Sequence, residues 1–257
     1  MIFPSTPSDH FTPYPMPETL LIVQNISHEG PGLLQELLLH RNIATERVDL
    51  SLGDTVPDPL NFSAMVVLGG PQSVNDDTPA MHQQLKQIRR AISLKVPYLG
   101  ICLGMQALVK AAGGRVVPCL LPERGFLAPS GEPYRMVVTE TGAGEALFDN
   151  LAEGFRVFQL HGERVEPGTG TELIGRGTVC PHQAVKVGTN AYGLQYHCEM
   201  TPAMFSQWME IDPSLKAMER KLLFRQFDAV AEEYRATGLR LLGNFLDIAG
   251  LGKEGKQ

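Results

Sequence analysis

The chain has 257 residues, a formal charge of −6 at neutral pH, 43% hydrophobic residues and 19% charged residues. That length and apolar content suffice for the core of one large domain. The acidic balance excludes a surface built chiefly to hold nucleic acid, which needs a basic face.

Residues 1–19 are rich in Pro, Ser and Thr and read as an extended arm. They lack the basic start and apolar centre of a signal peptide. No run approaches the roughly 20 apolar residues of a membrane span, so no membrane partner is expected. Residues 20–250 read as a single domain and 251–257 as a polar tail.

Leu20–Ile26 has the length and apolarity of a strand, and Gly30–His40 reads as a helix. Thr45–Leu50 and Ala64–Leu68 are further strand candidates, the latter ending in Gly69-Gly70-Pro71. Met81, Leu85, Ile88 and Ile92 recur at helical spacing before a strand over Val96–Ile101. This alternation predicts an α/β fold with a mostly parallel central sheet and helices on both faces.

From about residue 115 the pattern changes. Short strand-like runs follow at Arg115–Leu120, Arg135–Thr139, Arg156–Leu160, Glu172–Val179, Ala184–Val187 and Ala191–Tyr196, split by Gly, Pro and Asn. They predict a smaller, more antiparallel portion packed on the first. After Thr201-Pro202 come helices with two apolar stripes. One is Leu215, Met218, Leu222, Phe227, Val230 and Tyr234; the other is Leu241, Leu242, Phe245 and Leu246. Both are expected to pack in the core.

Two segments carry chemistry. Gly100-Ile101-Cys102-Leu103-Gly104 joins the Val96–Ile101 strand to a helix-forming run, in the G-x-nucleophile-x-G pattern of a nucleophile elbow. The glycines permit a sharp bend, and a helix start aims free N–H groups and the positive dipole end at the sulfur. Both favour the thiolate at Cys102. The second segment, Ala191–Glu199, ends in His197-Cys198-Glu199. If it is extended there, His197 and Glu199 share a face and Cys198 points away. Cys102, His197 and Glu199 then read as nucleophile, base and orienting acid. For the oxyanion, the backbone N–H groups of Leu103 and Gly70 are candidates.

The cysteines, Cys102, Cys119, Cys180 and Cys198, follow neither a zinc-ligand spacing nor a dense disulfide framework. No metal or cofactor is therefore expected. A free reactive thiol implies a reducing compartment, here read as the cytoplasm.

Four segments occur in family order: VVLGGPQSV at 66–74, GICLGMQAL at 100–108, VFQLHGE at 157–163 and YGLQYHCEMTP at 192–202. On these the chain resembles the class I, triad-type glutamine amidotransferases, and is similar to stand-alone domains like the glutaminase portion of GMP synthase. The resemblance implies their flavodoxin-like fold and hydrolysis of the glutamine side-chain amide through a Cys thioester. It also implies an ammonia-accepting synthetase as a separate protein, and substrate contacts from Gln106, Leu160, His161 and Gly162. The family's His-Pro-Glu is His197-Cys198-Glu199 here, and Leu160 stands where an aromatic residue is common. Two alternatives stay open: a stand-alone γ-glutamyl hydrolase or peptidase with the same chemistry, and an inactive regulatory or binding module.

Overall fold

The computed structural model describes residues 18–252. The rest of the expected arm, residues 1–17, and of the expected tail, residues 253–257, lie outside the described residues. In chain order the first half holds strand β1 (Thr19–Gln24), helix α1 (Leu33–His40), β2 (Ala44–Asp49), β3 (Ala64–Val67), α2 (Pro79–Leu94), β4 (Tyr98–Ile101) and α3 (Leu103–Ala111). The strands β5 (Arg115–Gly125), β6 (Arg135–Val138), β7 (Gly154–Arg156), β8 (Gln159–Glu166), β9 (Thr171–Arg176), β10 (Ala184–Val187) and β11 (Ala191–Leu194) follow. Helices α4 (Pro202–Ile211), α5 (Pro213–Lys216), α6 (Arg220–Asp228) and α7 (Ala231–Ile248) close the chain.

Nine strands form one sheet in the order β2-β1-β3-β4-β11-β10-β9-β6-β7. β2, β1, β3, β4 and β11 run parallel, and the strands from β10 outward pair antiparallel. β5 and β8 form a separate antiparallel pair. This is the mostly parallel α/β sheet with a smaller antiparallel portion that the sequence predicts.

Alternation along the strands divides the core into two layers. Leu20, Ile22, Val66 and Leu99 face α1 and α7, packing with Leu34, Leu38, Leu242 and Phe245. Leu21, Val23, Met65 and Tyr98 face α2 and α3, packing with Leu85, Ile88, Met105 and Leu108. A third cluster, built on Phe126, Phe158, Phe205, Trp208 and Phe227, joins α4–α6 to the small sheet. No helix among the described residues is long and apolar enough to cross a membrane.

Several boundaries differ from the expectations. β1 begins at Thr19, inside the span read as arm, and Leu251, inside the span read as tail, is buried. The run Arg156–Leu160 is not one strand. It is split between β7 and β8, which belong to different sheets. Leu222 is exposed, whereas Leu215, Phe227, Val230 and Tyr234 of the same expected stripe are buried. The reason is that this segment forms three helices with separate axes, so one helical phase does not run through it.

α1 and α7 also fix a backbone segment that matters below. Gly32 has φ +50, and a Cβ there would lie 1.9 Å from the carbonyl oxygen of Glu199. The next residue, Leu33, donates its N–H to that same oxygen at 2.7 Å. On the other side, a Cβ on Gly238 of α7 would lie 2.2 Å from the carbonyl oxygen of Cys198. Two helices thus press on consecutive peptide groups, with glycine at each contact. Gly238→Ala is expected to destabilise the protein by about 1–3 kcal/mol, the range for overpacking. The shift in urea midpoint measures it, and an unchanged midpoint would show that α7 can move away without cost.

Candidate active site

The carboxyl ends of β3, β4 and β11, three neighbouring parallel strands, carry Gly69-Gly70, Cys102 and the His197 loop respectively. Ligands of open α/β sheets bind at this edge.

Cys102 sits between β4 and α3 with φ 53 and ψ −105, a left-handed conformation that non-glycine residues rarely adopt. Such conformations cost on the order of 1–3 kcal/mol and persist only where the surroundings impose them. Here Cys102 N–H donates to the Leu194 carbonyl at 2.7 Å, and its own carbonyl accepts from Gln106 N–H at 3.1 Å. The flanking glycines permit the turn. A Cβ on Gly100 would lie 2.3 Å from the Gly104 backbone, and one on Gly104 would lie 2.1 Å from the Val67 carbonyl oxygen. Leu103 begins the helix, so its N–H has no partner within the helix. Gly70 approaches it closely: a Cβ there would lie 3.1 Å from Leu103 Cδ2 and 2.6 Å from Asn25 Cβ.

His197 and Glu199 come together, though not on a strand as expected. β11 ends at Leu194, because from there the chain turns towards the small sheet, where His197 N–H bonds to the Phe158 carbonyl at 3.0 Å. The His197 Nδ1 lies 2.7 Å from Glu199 Oε1, and Glu199 Oε2 accepts from Cys198 N–H at 2.9 Å. The imidazole packs against the edge of Trp208 at 4.8 Å between ring centres, and Tyr234 donates its hydroxyl to the His197 carbonyl at 2.9 Å. Burial by itself lowers the pKa of His197. The charge and hydrogen bond of Glu199, together with the Cys102 sulfur, outweigh it and hold the imidazole well above its usual value.

The Cys102 sulfur faces the Leu160 carbonyl at 3.8 Å and receives a contact from Gln195 Nε2 at 3.7 Å. Gln106 is buried and donates to the Glu163 carbonyl at 3.2 Å, which aligns α3 with β8. Cys102, Gly70, Gln106, Leu160, His161 and Gly162 all line one cavity of about 390 Å³. The His161 side chain turns back from it to Glu123, Nε2 to Oε2 2.8 Å. Cys198 is buried in the core.

Several groups at this site escape a reading of motifs. Arg124 and Asp212, with Glu163 of the VFQLHGE segment, put one cation and two acids on the cavity wall. Glu29 comes near His197 beside Gly69: a Cβ on Gly69 would lie 2.5 Å from Glu29 Oε2 and 2.9 Å from His197 Cε1. Burial lifts the Glu29 carboxyl from 4.5 to about 7, with Glu199 and Asp212 adding to the rise and His197 opposing it. Glu29 lies 40 residues before the first motif glycine, Gly69, and only the loop after β1 brings it near. Nothing local in SHEGPG marks it.

The glutamine amidotransferase class-I family model matches residues 25–211. The glutamine-hydrolyzing GMP synthase of Thermosipho melanesiensis is 34% identical over 195 residues, covering 75% of this chain and 34% of that protein. The chain thus spans about a third of the length of the GMP synthases it matches. A γ-glutamyl-L-1-hydroxyisopropylamide hydrolase of a Pseudomonas species is 25% identical over 143 residues, covering 54% of this chain and 48% of that one. Among solved structures, a glutamine amidotransferase of Methylobacillus flagellatus matches with a TM-score of 0.80 at 26% identity, covering 93% of this chain and 98% of that one.

Because the Glu29 pKa in the folded chain lies above its ordinary value, its contribution to stability is full below pH 4.5 and is lost as pH rises through about 7. Glu29→Gln, which fixes the neutral form, is expected to leave stability unchanged in acid. At about pH 8.5 it should stabilise the protein by up to about 3 kcal/mol. Urea unfolding at the two pH values measures the difference, and equal effects at both would place the Glu29 carboxyl in water.

Proposed function

The chain belongs to the class-I glutamine amidotransferases, and from that membership we propose that it hydrolyses a γ-glutamyl amide, L-glutamine above all, through a thioester on Cys102. The observation that carries this reading is the strained Cys102 at a helix start, beside a buried His197–Glu199 pair. In the proposed reaction the Cys102 sulfur attacks the side-chain amide carbon. The oxyanion that forms is held by the N–H groups of Leu103 and Gly70, each such donor contributing about 3 kcal/mol to the transition state. His197 gives its proton to the leaving ammonia and then takes one from the water that opens the thioester. Glu199 keeps the ring oriented and supports its cationic form. Glutamate and ammonia are the products.

Gln106 and the backbone from Leu160 to Gly162 hold the amino-acid end of the substrate in this reading. A zwitterion needs one cation and one anion: Arg124 suits the α-carboxylate, and Asp212 or Glu163 the α-ammonium group. In the GMP synthase-like form of the proposal, the ammonia passes to an acceptor on a separate synthetase.

A second reading keeps the chemistry and changes the leaving group: a stand-alone γ-glutamyl hydrolase. One observation favours giving it a test: a relative of this chain is named for hydrolysis of a γ-glutamyl amide.

Glutamate release from glutamine, run beside release from γ-glutamyl alkylamides and dipeptides, separates the two. Turnover of glutamine favours the first reading, and turnover of the substituted amides alone favours the second. Cys102→Ala is expected to abolish both, and retained turnover in that variant would remove the thioester from the mechanism. Glu199→Gln is expected to lower kcat/KM by on the order of a hundredfold or more. Because Glu199 helps raise the His197 pKa, the same change should move the alkaline limb of the pH profile to lower pH. An unmoved limb would mean that another group sets it.

A further inference from the structure

A second buried cluster lies behind the strand that carries Leu160 and Gly162, and the proposed amide chemistry leaves most of it unused. Glu123 and His161 are direct cross-strand partners in the small sheet. Glu123 Oε2 accepts from His161 Nε2 at 2.8 Å and from Gln183 Nε2 at 3.0 Å, while Oε1 accepts from the Cys180 N–H at 3.3 Å. The other ring nitrogen, Nδ1, lies 3.0 Å from the Glu163 carbonyl oxygen. An acceptor at each nitrogen makes both of them donors, which is the imidazolium form. Burial opposes that charge, but the hydrogen bond to Glu123 and the charges of Cys102 and Glu123 raise the His161 pKa.

The Cys119 sulfur lies 3.7 Å from the same Nδ1. The Cys180 sulfur also lies within 4.8 Å of a nitrogen of that ring and of a Glu123 oxygen. The influence of Cys180, with Arg164 assisting, lowers the Cys119 pKa, and that of Cys119, together with burial, raises that of Cys180. Cys119 is half-buried, where the pairing of β5 with β8 slips between Pro118 and Glu123, and it shares the wall of a separate cavity of about 230 Å³ with Cys180, Arg164 and Pro181. Cys180 is buried, and its backbone is anchored by Glu123. One sulfur is therefore half-accessible and favoured as the anion, and a second, buried sulfur lines the same cavity and faces the same imidazole.

We propose that Cys119 and Cys180 form an oxidisable dithiol whose co-substrate is a hydroperoxide, with Cys119 as the attacking sulfur and Cys180 as the resolving one. The Cys119 thiolate attacks the O–O bond, giving a sulfenic acid, and the released hydroxide or alkoxide takes a proton from solvent. The Cys180 sulfur, losing its proton, then displaces the sulfenic hydroxyl as water and forms the S–S bond. Two thiols lose two electrons in all, and the peroxide gains them. The bond would tie the slipped part of β5 to the loop before β10, across the ring of His161, directly behind the cavity wall at Leu160–Gly162.

The same atoms suggest a rival, a thiophilic cation such as zinc. One ligand atom each from Glu123, His161 and Cys180 lies within 4.8 Å of the others. A metal would have to break one of the two hydrogen bonds that occupy the His161 nitrogens, and this argues for the dithiol.

The test uses the full chain carrying Cys102→Ala, so that the result does not depend on the amide-hydrolysis reading. Reduced protein is treated with graded hydrogen peroxide, blocked with N-ethylmaleimide and analysed by intact mass and by unreduced peptide mapping. The expected product is a Cys119–Cys180 linked peptide, formed at roughly one equivalent of peroxide and reversed by dithiothreitol. In Cys180→Ser the reaction should stop at a Cys119 sulfenic acid that dimedone traps. In His161→Gln, Cys119 should react on the order of tenfold more slowly. The proposal is overturned if the two cysteines oxidise separately to sulfinic acids without a link. It is overturned equally if elemental analysis finds stoichiometric zinc that shields both thiols.

Discussion

His197 and Glu199 lie 2.7 Å apart and are almost wholly removed from water. Burying two charges costs several kcal/mol for each ion, and their attraction compensates only when the remaining polar atoms are also satisfied. The turn at Cys198–Glu199 meets that condition with the help of two neighbouring helices. The second carboxylate oxygen takes the Cys198 N–H, and the carbonyls of His197 and Glu199 take Tyr234 and Leu33. Those partners come from three directions: the turn itself, α7 and the start of α1. The helices that cover one face of the sheet are therefore also the walls of the ion pair, and glycines at positions 32 and 238 let them come close enough.

Cys102 is placed by an equally tight arrangement on the neighbouring strand. Its unfavourable backbone conformation is compensated by the Leu194 carbonyl and the first turn of α3, and by two glycines that remove side chains from the contact between β3, β4 and the helix. The sulfur then projects into the seam between the two sheets. The large sheet supplies Cys102 and the Gly69-Gly70 backbone, and the small sheet supplies the facing wall at Leu160–Gly162. The His197 N–H to the Phe158 carbonyl, with the two rings 6.3 Å apart between centres, links the His197 loop to the segment entering β8.

Two histidine–carboxylate pairs flank the sulfur, and their settings differ. His197–Glu199 is closed in by Trp208 and Tyr234, with Glu29 adding a carboxyl that titrates near neutrality. His161–Glu123 belongs to the small sheet and turns its outer side to two thiols. In the first pair the carboxylate, together with the Cys102 sulfur, raises the pKa of a buried imidazole. In the second, it fixes a cation behind the wall of the cavity. The same residue types thus serve different ends, according to which nitrogen faces the carboxylate and what occupies the other one.

The sequence by itself determined the parallel half of the sheet, because its strands and helices each have one periodicity and are punctuated by glycine and proline. It also determined the Cys102 elbow, whose glycine spacing is local, and the pairing of His197 with Glu199, which are two residues apart. It did not determine how that pair forms: the expected strand stops at Leu194, and the geometry comes from a turn held by Phe158, Leu33 and Tyr234. Arg156–Leu160 read as one strand because a change of sheet leaves no mark on hydrophobic periodicity. Leu222 read as core because a helical stripe carries no record of breaks between helices. Glu29, Arg124, Asp212 and the meeting of Glu123, Cys119 and Cys180 around His161 were decided by the tertiary structure alone. His161 apart, each is a polar residue without a local pattern, and its charge acquires meaning only when distant segments bring it beside another.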